Sequence, residues 1–548
     1  MNCEFQLSYF CEGENKQISG LTENDDLSLA ISDDGKRRTV IITAKKKIKL
    51  LSYREFGHDF IKSGDKTYDE KGDLYFLNGY QSWTETREFY GDARERNVKN
   101  LPPLLVRRFA FDRYGDAAFY GYDRKLLHGY DVFYVKGSAN TFIISLNAKN
   151  AYLIVEVKRN SGEVFILSDV DGKALKEGDA FTLVDYAYTD GYEKGLEEFY
   201  SHYPAKPVKK IFGYTSWYNY YQNVNEEIIL RDLDGLDETF NLFQIDDGYE
   251  TFVGDWLDVD PIKFPNGLKP IAEKIHDEGY MAGIWLAPFV AEEKSVLFRT
   301  RPDLFKRDEN GGFVKCGSNW SGFYALDLEN PDAAEYIRKC LTHYSDMGFD
   351  FFKLDFLYAA SLPVYEGKTC SEAAEYAYSL LREILGDKLI LGCGATLFNA
   401  AGKFDYMRIG PDVSLDFDDV WYMRFMHRER VSTKVTLQNT VYRSFMRGAL
   451  FGNDPDVFLL RDDNIKLTEK QRYALITLNA LFGDVMMTSD NVAEYDDEKR
   501  KTLSYALDLF VNAKVKKYSR SGDLIRVAYE LRGQEKNLTY NVNKGELL

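Results

Sequence analysis

The sequence predicts a multidomain α/β protein with a large N-terminal β-sandwich, a central (β/α)8 barrel and a small C-terminal β-domain. Three observations carry this. Up to about residue 190 the chain reads as short β-branched and aromatic runs separated by Gly, Asn and Asp. From residue 211 to 490 eight strand candidates follow, mostly alternating with amphipathic helical stretches. After residue 510 the pattern returns to short strands. With 548 residues the chain exceeds one ordinary core, so several domains are expected.

The N-terminal strands are expected within 38–53 (RTVIITAKKKIKLLSY), 140–148, 151–159, 163–170 and 181–190. EKGLEEFYSHY (193–203) has helical spacing, and PAKPVKK (204–210) reads as a linker. The barrel candidates are 211–217, 240–247, 280–289, 349–357, 388–395, 404–412, the region 452–460, and 483–490. Helices are expected between them, for example over 226–240, 267–279 and 371–386. Asn330-Pro331-Asp332 supplies a cap residue and a proline at the first helical position for another. Alternation of this kind means parallel strands with helical crossovers, and eight units in this length fit a closed barrel. An open doubly wound sheet is the competitor, but no GxGxxG follows a strand. The tail runs KKYSRS, LIRVAYEL and NLTYNV complete the chain as a small β-domain.

Composition narrows the function. Lys and Arg total 70 against 87 Asp and Glu, a formal charge of −17. Such a field repels phosphate backbones, so nucleic acid is not an expected partner. No run of about 18 apolar residues is present for a membrane span. MNCEFQLSYF lacks the pattern of a signal peptide, and six scattered cysteines read as reduced thiols, so a cytoplasmic location is expected. Aromatics reach 15%, which a large aromatic core and stacking against sugar rings both explain. NWS at 319–321 and NLT at 537–539 match the glycosylation sequon, a short pattern that also arises by chance.

The informative residues are the charges at strand ends. FFKLDFLYAA (351–360) sets Lys353 and Asp355 into an otherwise apolar run, two apart and so on one face of the strand. A buried ion pair is a poor stabiliser, which favours a site over a purely structural pair. Asp246 and Asp247 end the second candidate strand, Trp285 the third, Cys393 the fifth, Arg408 and Asp412 the sixth, and Trp217 the first. A barrel's active site lies at that rim. All six histidines fall in the N-terminal region or in expected helices, so no metal site is expected. Neither GxSxG nor GxxxxGK[ST] occurs. Carboxylates with aromatic platforms are the equipment of glycoside hydrolysis.

QIDDGYE, GDWLDVDPIKFPNGLKPIAEKIHDEGYMAGIWLAPF, FFKLDFLY and the GCG…MRIGPD stretch resemble the α-galactosidases of glycoside hydrolase family 36, in their compact bacterial or archaeal, melibiase-like branch. The likeness covers roughly 205–490, and NGYQSW (78–83) extends it into the N-terminal domain. It implies an N-terminal β-supersandwich over 1–195, a catalytic (β/α)8 barrel over 196–505 and a C-terminal antiparallel β-domain over 506–548. It implies Asp355 as nucleophile and Asp412 as acid/base, with Asp246 and Asp247 on O4 and O6 of galactose. Lys353 would lie near O3 and O4, Cys393 and Arg408 near O2, and Trp83, Trp217 and Trp285 would form pocket walls. Asp416, Asp418 and Asp419 stand close behind Asp412 as rival acids. The resemblance implies no cofactor, an oligosaccharide substrate of melibiose or raffinose type, and retention through carboxylates about 5 Å apart. CGATLFNA departs from the glycine-rich stretch of the long family members and leaves an α-N-acetylgalactosaminidase open. An α-galactosyl transferase, a galactose-binding protein without chemistry, and the oligomeric state also stay open.

Overall fold

The N-terminal strands form because alternate residues can be buried on one face, as in Glu4–Cys11, where Phe5, Leu7, Tyr9 and Cys11 point inward. The structure is a computed structural model that describes residues 4–56, 71–98, 101–137, 141–159, 161–362, 365–418 and 427–548. Cys3, His58, Asn140 and Asp419 lie outside the described residues. Two seven-stranded antiparallel sheets face each other across a core that includes Leu7, Val40, Ile42, Leu50 and Ile166. The run expected as one strand over 38–53 is two strands, Arg37–Ala44 and Ile48–Phe56. They belong to different sheets, because the lysines at 45–47 occupy the crossing and would be costly inside either one.

Tyr192–His202 is helical, so the expected domain boundary at 195/196 falls inside this helix. Gly195 lets the helix lie directly on Phe142, where a β-carbon would come within 2.1 Å of the ring. The outer face of this second sheet, through Phe76, Tyr134 and Phe142, shares one apolar core with the barrel.

The barrel strands are β1 (Ile211–Thr215), β2 (Leu242–Ile245), β3 (Met281–Leu286), β4 (Phe351–Leu354), β5 (Leu389–Gly392), β6 (Tyr406–Arg408), β7 and β8 (Val485–Thr488). β7 is split into Gly452–Asp454, which pairs with β6, and Val457–Phe458, which pairs with β8. All neighbours are parallel, and the two ends of the sheet are therefore consecutive in the chain across Pro455 and Asp456. The crossovers are α1 (Glu226–Asp234), α2 (Lys269–Asp277), α3 (Pro331–Asp346), α4 (Cys370–Leu385), the single turn α5 (Leu397–Ala400), α6 (Thr433–Tyr442) and α7 (Glu469–Phe482). α8 (Asp497–Asn512) closes the series, and the C-terminal sheet begins at Ala513. Local sequence signals set these ends. The Asn330 side chain caps α3 with Pro331 at its first position, and Thr369 with Glu372 forms a capping box on α4. Four antiparallel strands make the C-terminal domain. Among the described residues no helix is long and apolar enough to cross a membrane.

The strands are shorter than their apolar runs, because the hydrogen-bonded ladder ends where the rim loops begin. Asp246, Asp247 and Asp355 lie just beyond their strands, and Asp412 lies four residues beyond β6 rather than ending it. Trp217 opens a short helix, Trp217–Tyr220, rather than ending β1.

Candidate active site

A cavity of about 460 Å³ opens at the C-terminal rim of the barrel. Trp83, Trp217, Asp246, Asp247, Trp285, Lys353, Asp355 and Asp412 all line it. Cys393 and Arg408 stand one layer behind, each bonded to a lining residue.

Asp246 is the most tightly held of these groups. Its Oδ2 accepts from Lys353 Nζ at 2.7 Å, Gln244 Nε2 at 3.0 Å and Thr215 Oγ1 at 3.2 Å, and its Oδ1 from the Asp247 amide at 2.9 Å. Burial alone would raise this carboxyl, but the Lys353 ammonium wins and holds it below the usual range. Among the described residues none gives Asp247 such a cation. Burial raises it, even though Trp320 Nε1 donates to its Oδ2 at 2.9 Å. Buried Glu250 behind it is raised as well, by burial and by the charge on Asp247.

Asp355 Oδ2 accepts from Trp285 Nε1 at 3.1 Å and Oδ1 from the Phe356 amide at 2.8 Å. Burial raises its carboxyl, the nearby Lys353 opposes this, and Asp412 adds to it. Lys353 therefore bonds Asp246 directly and acts on Asp355 only through its field. Phe356 adopts φ +53°, a left-handed conformation uncommon for an aromatic residue, directly after Asp355.

Asp412 Oδ1 accepts from Arg408 Nη1 at 2.9 Å. Of the rival carboxylates, Asp416 pairs with Lys466 and Asp418 with Arg430, so both are committed elsewhere. Cys393 is fully buried, its thiol is pushed well up by burial, and its Sγ accepts from Trp83 Nε1 at 3.2 Å. It is a neutral thiol between Trp83 and Asp355 and no nucleophile.

Trp83 reaches the barrel on the turn 78–83. Arg443, fully buried, donates to Asn78 Oδ1 (3.1 Å) and to the carbonyls of Gln81 (3.2 Å), Ser82 (2.5 Å) and Ile409 (2.8 Å). Gly394, at φ +65°, leaves the space its indole needs, since a β-carbon would come to 3.0 Å.

Several lining residues are not foreseen above. Trp320 comes from an insertion after β3 in which Val290–Glu292, Lys315–Gly317 and Phe323–Ala325 form a small sheet. Its signal is a tryptophan between Gly317 and Gly322, hidden by the sequon reading. Asn319 of that sequon accepts from Tyr114 Oη at 2.6 Å within the cavity wall. His427 and Glu429 also line the cavity, so the expectation that every histidine lies in a helix or the N-terminal region is corrected. His427 stands in a loop and pairs with Glu429 at 3.2 Å, and Glu429 accepts from Thr84 Oγ1 at 2.7 Å. Nothing in the periodicity of that stretch marks it.

Residues 205–385 match the family model described as melibiase. An alpha-xylosidase XylQ of Lactiplantibacillus pentosus is 32% identical over 160 residues, 27% of this chain and 20% of that protein. An alpha-galactosidase of Escherichia coli is 25% identical over 210 residues, 36% of this chain and 28% of that protein. The aligned segment thus spans under a third of these curated relatives. Whole-chain likeness appears in solved structures of TtGalA, an alpha-galactosidase from Thermus thermophilus. Its complex with stachyose is 25% identical and covers 88% of this chain and 99% of that one, with a TM-score of 0.68. Its complex with p-nitrophenyl alpha-D-galactopyranoside is 24% identical over 93% and 98%, with a TM-score of 0.70.

Proposed function

We propose, from the premise that residues 205–385 form a melibiase-family domain within the fold of the family 36 α-galactosidases, that this chain is a retaining glycosidase releasing terminal α-galactose from oligosaccharides. The observation that carries the reading is the division of labour among the four aspartates of the cavity. Asp246 is held ionised by Lys353 beside Asp247 on one side, and Asp355 faces the same cavity with Asp412 in its field.

The chemistry follows from those positions. Asp246 and Asp247 have lone pairs to accept sugar hydroxyls, and their placement suits O4 and O6 of galactose. Trp217, Trp285 and Trp320 offer flat apolar walls for the ring's C–H face. Asp355, steadied by Trp285 Nε1 and the Phe356 amide, attacks the anomeric carbon. Asp412 gives its proton to the departing oxygen. The glycosyl ester then reacts with water, from which Asp412 takes a proton as the ester bond breaks. Because burial raises Asp355, the acid limb of the kcat/KM profile is expected above the ordinary aspartate range near 4.

Galactose specificity is tested with aryl α-galactosides against aryl α-glucosides. A site that hydrogen-bonds an axial O4 leaves a buried carboxylate unpaired when glucose binds, so a preference of roughly 10⁴-fold is expected. Comparable rates on both sugars would refute the reading. Trp83, seated on Gly394 and bonded to Cys393, fills one side of the cavity and favours a small 2-hydroxyl over an acetamido group. Transfer to sugar acceptors shares the glycosyl ester and is separated by the ratio of transfer product to free galactose.

A further inference from the structure

Asp412 lies in a loop, four residues beyond β6, yet a general acid must keep its place within a few tenths of an ångström. What holds it comes from the break in β7. Pro455 interrupts the strand, and Asp456 follows with φ +77°, left-handed and fully buried. The strain of that backbone is stabilised locally. Its amide donates to Asp454 Oδ1 at 2.8 Å, and its carbonyl accepts from Asn479 Nδ2 at 3.4 Å.

The Asp456 side chain then reaches three elements at once. Its Oδ2 accepts from the amide of Val413, the residue after Asp412, at 2.6 Å, and from Tyr218 Oη at 2.6 Å. Its Oδ1 lies 2.7 Å from Arg408 Nη2, a close charge contact without hydrogen-bond alignment. Arg408 is the residue bonded to Asp412. Its Nε is taken by Asp454 at 3.1 Å, so the carboxylates of Asp454 and Asp456 face two sides of the guanidinium and leave Nη1 to Asp412 and, at 3.4 Å, to Tyr218 Oη.

We propose that Asp456 is a positioning residue for the acid: it fixes the backbone at Asp412–Val413 and balances Arg408, so that Asp412 can carry a proton to the leaving oxygen despite its cationic neighbour. The inference rests on the role proposed for Asp412. Asp454 and Asp456 hold two sides of the Arg408 guanidinium, so its position does not depend on Asp412 alone. The split of β7 gains a purpose on this reading. A continuous strand would place residue 456 in the ladder, with its side chain set by the pleat rather than turned to the loop after β6.

The test uses a series of α-galactosides whose leaving groups run from dinitrophenol to a sugar alcohol. Asp456→Asn keeps the volume and loses the charge. A positioning role predicts a loss of roughly 100-fold in kcat/KM for the sugar leaving group and under about 10-fold for dinitrophenol, whose departure needs no proton. Tyr218→Phe, which removes one donor to Asp456 and a long contact to Arg408 Nη1 and leaves the fold's volume intact, should repeat that selectivity at smaller size. A uniform loss across the series in both variants, matched by a fall in melting temperature, would assign Asp456 a merely structural role and overturn the inference. Asp412→Ala run beside them separates the two levels. Leaving-group selectivity in Asp412→Ala without any in Asp456→Asn or Tyr218→Phe defeats the inference alone. No selectivity in Asp412→Ala, or no turnover by the unaltered enzyme, defeats the functional reading and the inference with it.

Discussion

Two buried clusters of charge lie on either side of the junction between the N-terminal domain and the barrel, and they are built differently. In the N-terminal cluster His128 Nδ1 meets Glu95 Oε2 and Nε2 meets Asp116 Oδ2, both at 2.6 Å. Two carboxylates on two ring nitrogens require both nitrogens to donate, so the ring is an imidazolium. Burial would push it down, but Glu95 and Asp116 raise it to about 9. Asp116 also accepts from Tyr122 Oη at 2.6 Å, and Arg428 Nη1 lies 3.5 Å from Glu95 and donates to the His128 carbonyl at 3.2 Å. This cluster is spent on itself. In the barrel cluster Lys353 bonds Asp246, and Asp246, Asp247, Asp355 and Asp412 are gathered around one cavity. The difference separates a fastening from a site: burial of charge is common to both, and four aspartates around a single cavity belong to the barrel.

The predictions break or sharpen that contrast. Asp355→Ala should cost roughly 10⁴-fold or more in kcat without loss of stability, since the residue supports chemistry and little of the fold. Azide should then restore turnover and yield a glycosyl azide, and its absence would remove Asp355 from the nucleophile's place. Lys353→Met leaves Asp246 buried without a cation and should lower kcat/KM by roughly 10²-fold, with a loss of stability of about 3 kcal/mol. Adding Asp246→Asn should recover the stability and not the activity. If the double variant regained activity, the pair would be a fastening like the N-terminal one.

Arg443→Ala removes the buried donor that ties the turn 78–83 to the carbonyl of Ile409. Trp83 should lose its seat, raising KM roughly 10-fold while kcat changes less, because a wall binds ground and transition states alike. The smallest effect on activity belongs to His128→Gln, where kcat and KM should stay put and the melting temperature should fall by a few degrees. The sign of its pH dependence is fixed by a pKa raised in the fold. The stabilisation is fully present below about 6.5 and is lost as pH rises through about 9. Melting curves of the unaltered protein should therefore drop over that window, and those of the variant should not show this component. Equal slopes would mean that His128 is not charged in the fold.

The sequence made the barrel legible because its strands are buried on both faces and read as apolar runs, with the polar residues left at the rim. Lys353 and Asp355 stand out for that reason, as do Asp246 and Asp247. Asp412 is legible as a carboxylate at the end of the sixth apolar run, and its role comes from the motif. Its loop position was hidden, because MRIGPD continues the apolar pattern after the ladder has ended at Arg408. Trp320, His427 and Glu429 were not legible as site residues. They sit in insertions whose path depends on contacts far away in the chain, such as Thr84 with Glu429 and Tyr114 with Asn319. The split of β7 was concealed likewise, since GNDPDVFLL shows a turn signal but not which neighbour each half would pair with.

The central claim is that Asp355 and Asp412 act as nucleophile and acid/base across one sugar. The most direct measurement is a proton NMR time course of an aryl α-galactoside turned over by the unaltered enzyme. The account predicts that α-galactose appears first and β-galactose grows in only at the rate of mutarotation. First appearance of β-galactose would show single displacement and contradict both assignments.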